Sequence, residues 1–564
     1  MADEEKEKVL EKKEKWTQAV SSLMIGFIFI IIGLPLWWNT TKVYRASLPY
    51  KDIEKLAELK LDYLVNIKIL IPKEESLLNL KSFDNSLRDQ LNSLIAEFAV
   101  NPKFEINTRF LSEAENSLLK EKSQRNAALK DLDFALQKLW YGEKSSNGNY
   151  IFIFLPSGIF EQMKTMYIGK FLHTIIPYKK EIVSELENIV TVIKNVYINV
   201  KTFSRAFNTA SQRNLKMNNM ENIRAQKSVS GYQISFTLLN SDPDSVIPWW
   251  NIEGAVQKYL NPFLTKVPHL NTSIDSQVLH YSTVQLNPKR DGQAFYLDYK
   301  DLPHLINPIE AKLGSYVSLN SNLNFIVYVP SQDQTPLYIR NKDGNVAESN
   351  AFLSPQWGGF VIYNINRTNL ENNHVELEMS SVMSTFISQL KLLLSGQPID
   401  QPEQSILGEY SSTGITEWEE LSLWRMKTME YLSTSTITLT SLARLLEQIS
   451  NMVIGDQIQK QIQQALLSIE KSKDALEQGR VTTAYLEAKT ALTSSENAFF
   501  DPSILALLYF PDDQKYAIYI PLFLPISIPI ILSLFEGIKW LKGSKDKSKT
   551  DEREKKPIEE KKND

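Results

Sequence analysis

Ala19 to Trp38 reads AVSSLMIGFIFIIIGLPLWW. The run holds no charge and has about the 20 residues that a helix needs to cross a bilayer core of ~30 Å. Trp37 and Trp38 close it as an interfacial aromatic belt. A cleaved signal peptide has a shorter apolar core and a small-residue exit, so the bulky LPLWW exit predicts an uncleaved anchor. A second charge-free run lies at the other end, Ala517 to Phe535, AIYIPLFLPISIPIILSLF, entered past Tyr516 and Tyr519 and left at Lys539, Trp540 and Lys542. Two spans put both tails on one side. Lysines 6, 8, 12, 13 and 15 before the first span, and the lysine-rich stretch from Lys539 to Lys549 after the second, make that side the cytosol.

Working inward, the second run carries Pro521, Pro525 and Pro529, spaced every four residues and so on one helix face. Each proline lacks an N–H, so the carbonyls of Ala517, Pro521 and Pro525 lose their helical partners. In hydrocarbon such carbonyls need compensation from neighbouring protein, water or local rewinding. The stripe is therefore either a bent helix that tolerates proline or a face that packs on another subunit's membrane helix.

The middle of the chain is expected in the lumen of the endoplasmic reticulum. Asn-X-Ser/Thr sequons stand at Asn39, Asn271 and Asn366. Asn39 abuts the bilayer, which leaves Asn271 and Asn366 as the glycosylation acceptors. The last four residues, Lys561-Lys562-Asn563-Asp564, match the dilysine retrieval signal that coat proteins read on cytosolic tails.

Periodicity predicts strands at Asp62–Ile71, 150–156, Tyr232–Leu239, Ser276–Val284, Asn324–Val329 and Phe360–Tyr363. It predicts helices over Leu111–Trp140, 180–207, 250–264 and 375–394. Strands alternating with helices make an α/β lumenal domain. The polar, Pro- and Gly-containing stretch 395–414 reads as a linker, and an α-helical segment follows. STSTITLT at 433–440 has strand propensity, but apolar helical spacing continues on both sides of it. The expected organisation is a cytosolic tail at 1–18, a transmembrane helix at 19–38, the α/β domain at 39–394 and the linker at 395–414. A helical region at 415–500, a membrane-proximal segment at 501–516, a transmembrane helix at 517–535 and a cytosolic tail at 536–564 complete it. Within the membrane-proximal segment, LALLYF at 505–510 is either an interfacial contact or a turn of buried helix.

Composition narrows the chemistry. The 564 residues include no cysteine, five histidines and a net charge of −4. That excludes a thiol nucleophile, a zinc finger and a redox CxxC, and shows no sign of a nucleic-acid partner. Phosphate-binding, zincin and nucleophile-elbow motifs are all missing, so no catalytic, cofactor or metal-binding residue is nominated. The acid pairs Asp242/Asp244 and Asp512/Asp513 lie in proline-punctuated turns.

Several long runs resemble the PIG-S family. They are GLPLWWNTTKVYRASLPY (33–50), GYQISFTLLNSDPDS (231–245), WNIEGAVQKYLNPFL (250–264), DSQVLHYS (275–282), YLDYKDLPHLINPIEAKLGS (296–315), PLYIRNKDGN (336–345) and NAFLSPQWGG (350–359). The longest, TSSENAFFDPSILALLYFPDDQKYAIYIPLFLP (493–525), runs into the second span. The resemblance covers most of the chain outside about 66–225. It implies a non-catalytic structural subunit of the glycosylphosphatidylinositol (GPI) transamidase complex in the endoplasmic reticulum membrane, beside PIG-K, PIG-T, PIG-U and a GPAA-type subunit. The complex cleaves a precursor's C-terminal signal and attaches the GPI anchor. Its catalytic cysteine and histidine belong to PIG-K, and no cofactor is implied for this subunit. The competing expectation is a membrane-anchored lumenal hydrolase or transferase with an unrecognised site.

Overall fold

A computed structural model of the chain describes all residues except 1, 42–43, 76–78, 94–99, 126–127, 141–147, 161–164, 180, 199–202, 204–230, 268–270, 284–287, 314–320, 356, 367–372, 396–400, 409–413, 449–453, 507–516, 519, 522, 526, 533, 536 and 540–564. Two compact units emerge. The larger joins Pro49–Ser441 to Gln461–Glu496, and the smaller joins Met1–Leu48, Leu442–Lys460 and Asn497–Asp564.

The larger unit contains two parallel sheets built in sequence. The first begins with β1 (Leu61–Ile71), whose odd positions are all apolar and buried, while its even positions carry Asp62, Leu64, Asn66 and Lys68 half-buried before the buried Leu70. With β2 (Val100–Phe110), β3 (Tyr150–Pro156), β4 (Met166–Ile168) and β5 (His173–Tyr178) it forms the order β2-β1-β3-β5-β4, extended by the short strand Ser405–Leu407. All neighbours are parallel except β4 and β5. On one face Phe154 meets Phe83 of the Leu80–Ser93 helix edge-on, centroids 6.2 Å apart. On the other, Leu70, Ile153, Leu155 and Ile175 pack against Leu119, Leu132 and Leu136 from helices Glu113–Gln124 and Leu129–Trp140.

The second sheet repeats the plan. Around β6 (Gly231–Asn240), buried at every position, lie Asn271–Leu279 on one side and Ser321–Val329 on the other. Gly358–Ile362 and then the antiparallel Ala351–Ser354 follow. The Met379–Ser395 helix covers one face, where Phe386 packs on Phe236 and Phe325 at 5.8 and 5.1 Å between centroids. A three-stranded sheet of Lys289–Asp291, Ala294–Asp298 and Leu337–Arg340 covers the other. Its Leu297, Leu337 and Ile339 share a core with Leu239, Ile326, Tyr328 and Phe360.

The helical part of this unit lies directly against the first sheet. Trp418, at the start of the Glu417–Gln448 helix, donates its Nε1–H to Gly169 O at 3.0 Å. Fully buried Arg425 donates to Tyr150 OH. Trp424 and Tyr431 close on Tyr485 of the Val481–Phe499 helix, at 4.4 and 5.6 Å. Ser472 of the Asp456–Glu477 helix donates to Ala484 O at 2.7 Å.

Several elements differ from the periodicity reading. The helix expected over Leu111–Trp140 is two helices, because Arg125 leaves the helical region at φ −84°, ψ 0°. The strand expected over Ser276–Val284 runs instead from Asn271 to Leu279, and Tyr281, at φ 53°, ends the extended run. Residues 180–207 hold a 3₁₀ turn, a short α-helix Leu186–Val192 and a π turn Ile193–Tyr197, with much of the remainder outside the described residues. Residues 433–440 are helical, as the apolar spacing on both sides of them predicts, whereas 395–414, expected as a linker, supplies the Ser405–Leu407 strand.

Candidate membrane-spanning and modification sites

In the smaller unit the N-terminal helix runs Ala2–Ile28, passes through a π turn at Phe29–Gly33 and resumes over Leu34–Thr41. The helix stretch Val9–Gly33 contains an 18-residue window with a mean hydropathy of 1.8 and is long enough to cross a membrane. Between residues 517 and 539 every described position is helical, Pro521, Pro525 and Pro529 included. The two helices meet at a point that a sequence alone does not reveal. Gly26 is buried among exposed apolar neighbours, and a Cβ placed on it would fall 2.4 Å from Leu534 Cδ2. Any larger residue at position 26 would force that leucine side chain to shift.

The burial pattern on the second helix is regular. Phe523, Ser527, Ile530, Leu534 and Gly537 are half-buried or buried, at spacings of four, three, four and three. That is the seam spacing of paired helices. The three prolines are exposed. At 100° per residue the centre of the proline stripe lies about 180° around the helix from Leu534. Prolines and seam occupy opposite faces.

Just beyond the first helix, Tyr44 to Ser47 is stitched to the segment between two long helices. Ala46 N donates to Ile454 O at 2.9 Å and Ile454 N to Tyr44 O at 3.1 Å. Tyr44 OH donates to Asp456 Oδ1 at 2.6 Å, and Gln459 Nε2 to Ser47 O at 2.8 Å. The hydrogen bond to Asp456 raises the Tyr44 pKa. Arg45 Nη2 donates to Leu446 O in the last turn of the Glu417–Gln448 helix, where a cation complements the helix dipole.

Of the sequon residues, Asn366 is exposed just after the Gly358–Ile362 strand. Asn271 opens the edge strand of the second sheet, its backbone in register with Gly231. Lys561 and Lys562 lie outside the described residues, as do Asp512, Asp513 and the end of the LALLYF run.

Periodicity also missed a buried ionic joint in the larger unit. Asp133, on the Leu129–Trp140 helix, pairs with His173 at the head of β5, both side chains about fully buried. Asp133 Oδ2 also accepts from Lys170 N at 2.9 Å. Gly169 has to be glycine, because a Cβ there would lie 2.1 Å from Asp133 Oδ1. Its carbonyl takes the Trp418 bond, and Glu417 N donates to Lys170 O at 2.9 Å. Burial raises the pKa of Glu417. The joint ties helix, sheet and helical segment together, and Asp133 and His173 stand 40 residues apart in sequence with no motif to flag them. Among the described residues no group of three or more His, Asp or Glu side chains could hold a metal ion.

Residues 24–544 match the family model described as Phosphatidylinositol-glycan biosynthesis class S protein, PIG-S. The chain is 37% identical over 529 residues to the human GPI-anchor transamidase component PIGS, a match covering 91% of this chain and 94% of that protein. The mouse protein of the same name is also 37% identical, over 538 residues, with the same shares covered. A "GPI transamidase component PIG-S homolog" from Schizosaccharomyces pombe is 26% identical over 545 residues, 94% of this chain and 85% of that protein. The family match takes in the Gly26–Leu534 contact and everything between, and on its extent and the identity to its members the chain belongs to the PIG-S family.

Proposed function

We propose that this chain is a non-catalytic, structural subunit of the GPI transamidase complex, which replaces a precursor's C-terminal signal with a GPI anchor. The observation that carries this is similarity running almost end to end, both apolar segments included, with proteins named as components of that enzyme. A chain without cysteine cannot supply the thiolate for a cysteine-dependent acyl transfer, so the nucleophile comes from another subunit.

In this reading the chain is a two-pass protein of the endoplasmic reticulum membrane, with cytosolic tails and a lumenal body. Its spans fall at 19–38 and 517–535. Asn271 and Asn366 are glycan acceptors, and Lys561 and Lys562 form the retrieval signal. PIG-K, PIG-T, PIG-U and a GPAA-type subunit are the partners, and Pro521, Pro525 and Pro529 face their membrane helices. The exposure of all three prolines supports that last assignment. Carbonyls freed by proline need neighbours in hydrocarbon.

Two measurements test the proposal. Cells lacking the chain should lose surface GPI-anchored proteins and accumulate uncleaved precursors. Mild-detergent purification of the tagged chain should recover a cysteine-protease-like partner, and replacing all three prolines by leucine should weaken that recovery. Normal precursor processing in the deleted cells would defeat the reading and favour an independent lumenal enzyme.

A further inference from the structure

We propose that Gly26 locks the two membrane helices of this chain into a pair, and that this lock turns the proline face outward. The proposal rests on the two-pass reading and extends it to how the spans are held. Three observations converge on it. Gly26 is buried where its neighbours along the helix are exposed. Leu534 fills the space a Cβ would need, as close as 2.4 Å. The burial on the second helix follows a seam spacing through Leu534, with the prolines on the opposite face.

Physical chemistry gives the contact its weight. Between membrane helices the hydrophobic effect supplies no drive, because lipid tails are as apolar as leucine, so association depends on close packing. A glycine opposite a leucine is a knob entering a notch, and it fixes both the rotation and the depth of the second helix relative to the first. Rotation decides where the prolines point. A helix free to spin could turn its proline face toward its own partner span. With Leu534 seated at Gly26 that face lies on the far side.

The lack of native cysteine makes the arrangement directly testable in the full-length chain. In microsomes treated with a membrane-permeant oxidant, Gly26→Cys combined with Leu534→Cys should form an intramolecular disulfide, seen as a reductant-sensitive mobility shift. Gly26→Cys combined with Pro525→Cys should not. Equal crosslinking of both pairs, or crosslinking of neither, would overturn the proposal. A second measurement exchanges the knob and the notch. Gly26→Leu should reduce recovery of partner subunits, and Gly26→Leu with Leu534→Gly should restore it; unchanged recovery from Gly26→Leu, or no rescue by the exchange, would count against the lock. If the transamidase reading itself were wrong, the unmutated chain would recover no such partner, while the disulfide result would still report on the helix pair.

Discussion

The first and second parallel sheets share one plan but are covered differently. Leaving aside the Ser405–Leu407 extension of the first sheet, the second strand in the chain takes the outer edge in each, followed by the first, the third and the last. In each, the last strand is preceded by a short antiparallel neighbour, β4 before β5 and Ala351–Ser354 before Gly358–Ile362. A helix comes after that strand in both, Leu186–Val192 in the first and, beyond the short strand His374–Glu376, Met379–Ser395 in the second. The covers diverge. Two helices seal the second face of the first sheet, whereas the three-stranded sheet around Leu297, Leu337 and Ile339 seals that of the second. The strand order follows from parallel strands joined by crossovers. The cover has only to present enough apolar surface, and either kind of element can do that.

Removing a ring common to both plans should produce the largest effect. Phe236→Ala, which takes a buried ring from between Phe325 and Phe386, should cost about 3–5 kcal/mol in thermal or denaturant unfolding. Phe154→Ala in the first sheet should cost a similar amount. A much smaller loss in one of them would mean that its sheet tolerates a cavity and that the likeness stops at strand order.

The next test addresses what sets the first sheet apart. Glu115 is nearly fully buried, which opposes its charge, yet bonds from Arg109, Ser112 and Trp140 outweigh burial and bring its pKa down to about 2. The folded-state pKa is depressed. The stabilisation is therefore complete above the ordinary glutamate range and is lost as pH falls toward about 2. Glu115→Gln should cost about 2 kcal/mol at neutral pH, and the gap to the unmutated chain should close on acidification. A gap unchanged between pH 7 and pH 3 would refute the ion-pair account. The smallest effects should come from matching caps. Ser112→Ala removes half of a capping box, and Asn251→Ala removes the acceptor for Gly254 N at 3.0 Å. Each should cost about 1 kcal/mol, measured in the same way, and the two should be alike.

The sequence disclosed those parts of the molecule that rest on long periodicity. β1, β6, Ser321–Val329 and the helices after residue 415 are read correctly because each buries a full face over many residues. β2 escaped notice because lysine, glutamate and arginine interrupt its alternation at an edge. The three-stranded cover escaped because strands of three to five residues are too short for a period to register. Of the candidate site, the apolar runs and the proline stripe were legible. The Gly26 notch was not, since a glycine in an apolar helix has no distinctive neighbours until the second helix is laid against it.

The stitch between Tyr44–Ser47 and the segment around Ile454 has a consequence for the order in which the protein is made. Ala46 leaves the ribosome about 400 residues before Ile454, and Gly26 emerges earlier still relative to Leu534. At about 5–20 residues per second of synthesis, Tyr44–Ser47 waits roughly 20–80 s, and Gly26 roughly 25–100 s, for the partner that secures it. Throughout that interval both sheets have time to fold while the N-terminal helix has no partner helix. The joint is therefore a terminal event, closed only after nearly all of the chain exists, so a truncated product would leave the N-terminal helix without the helix it packs on.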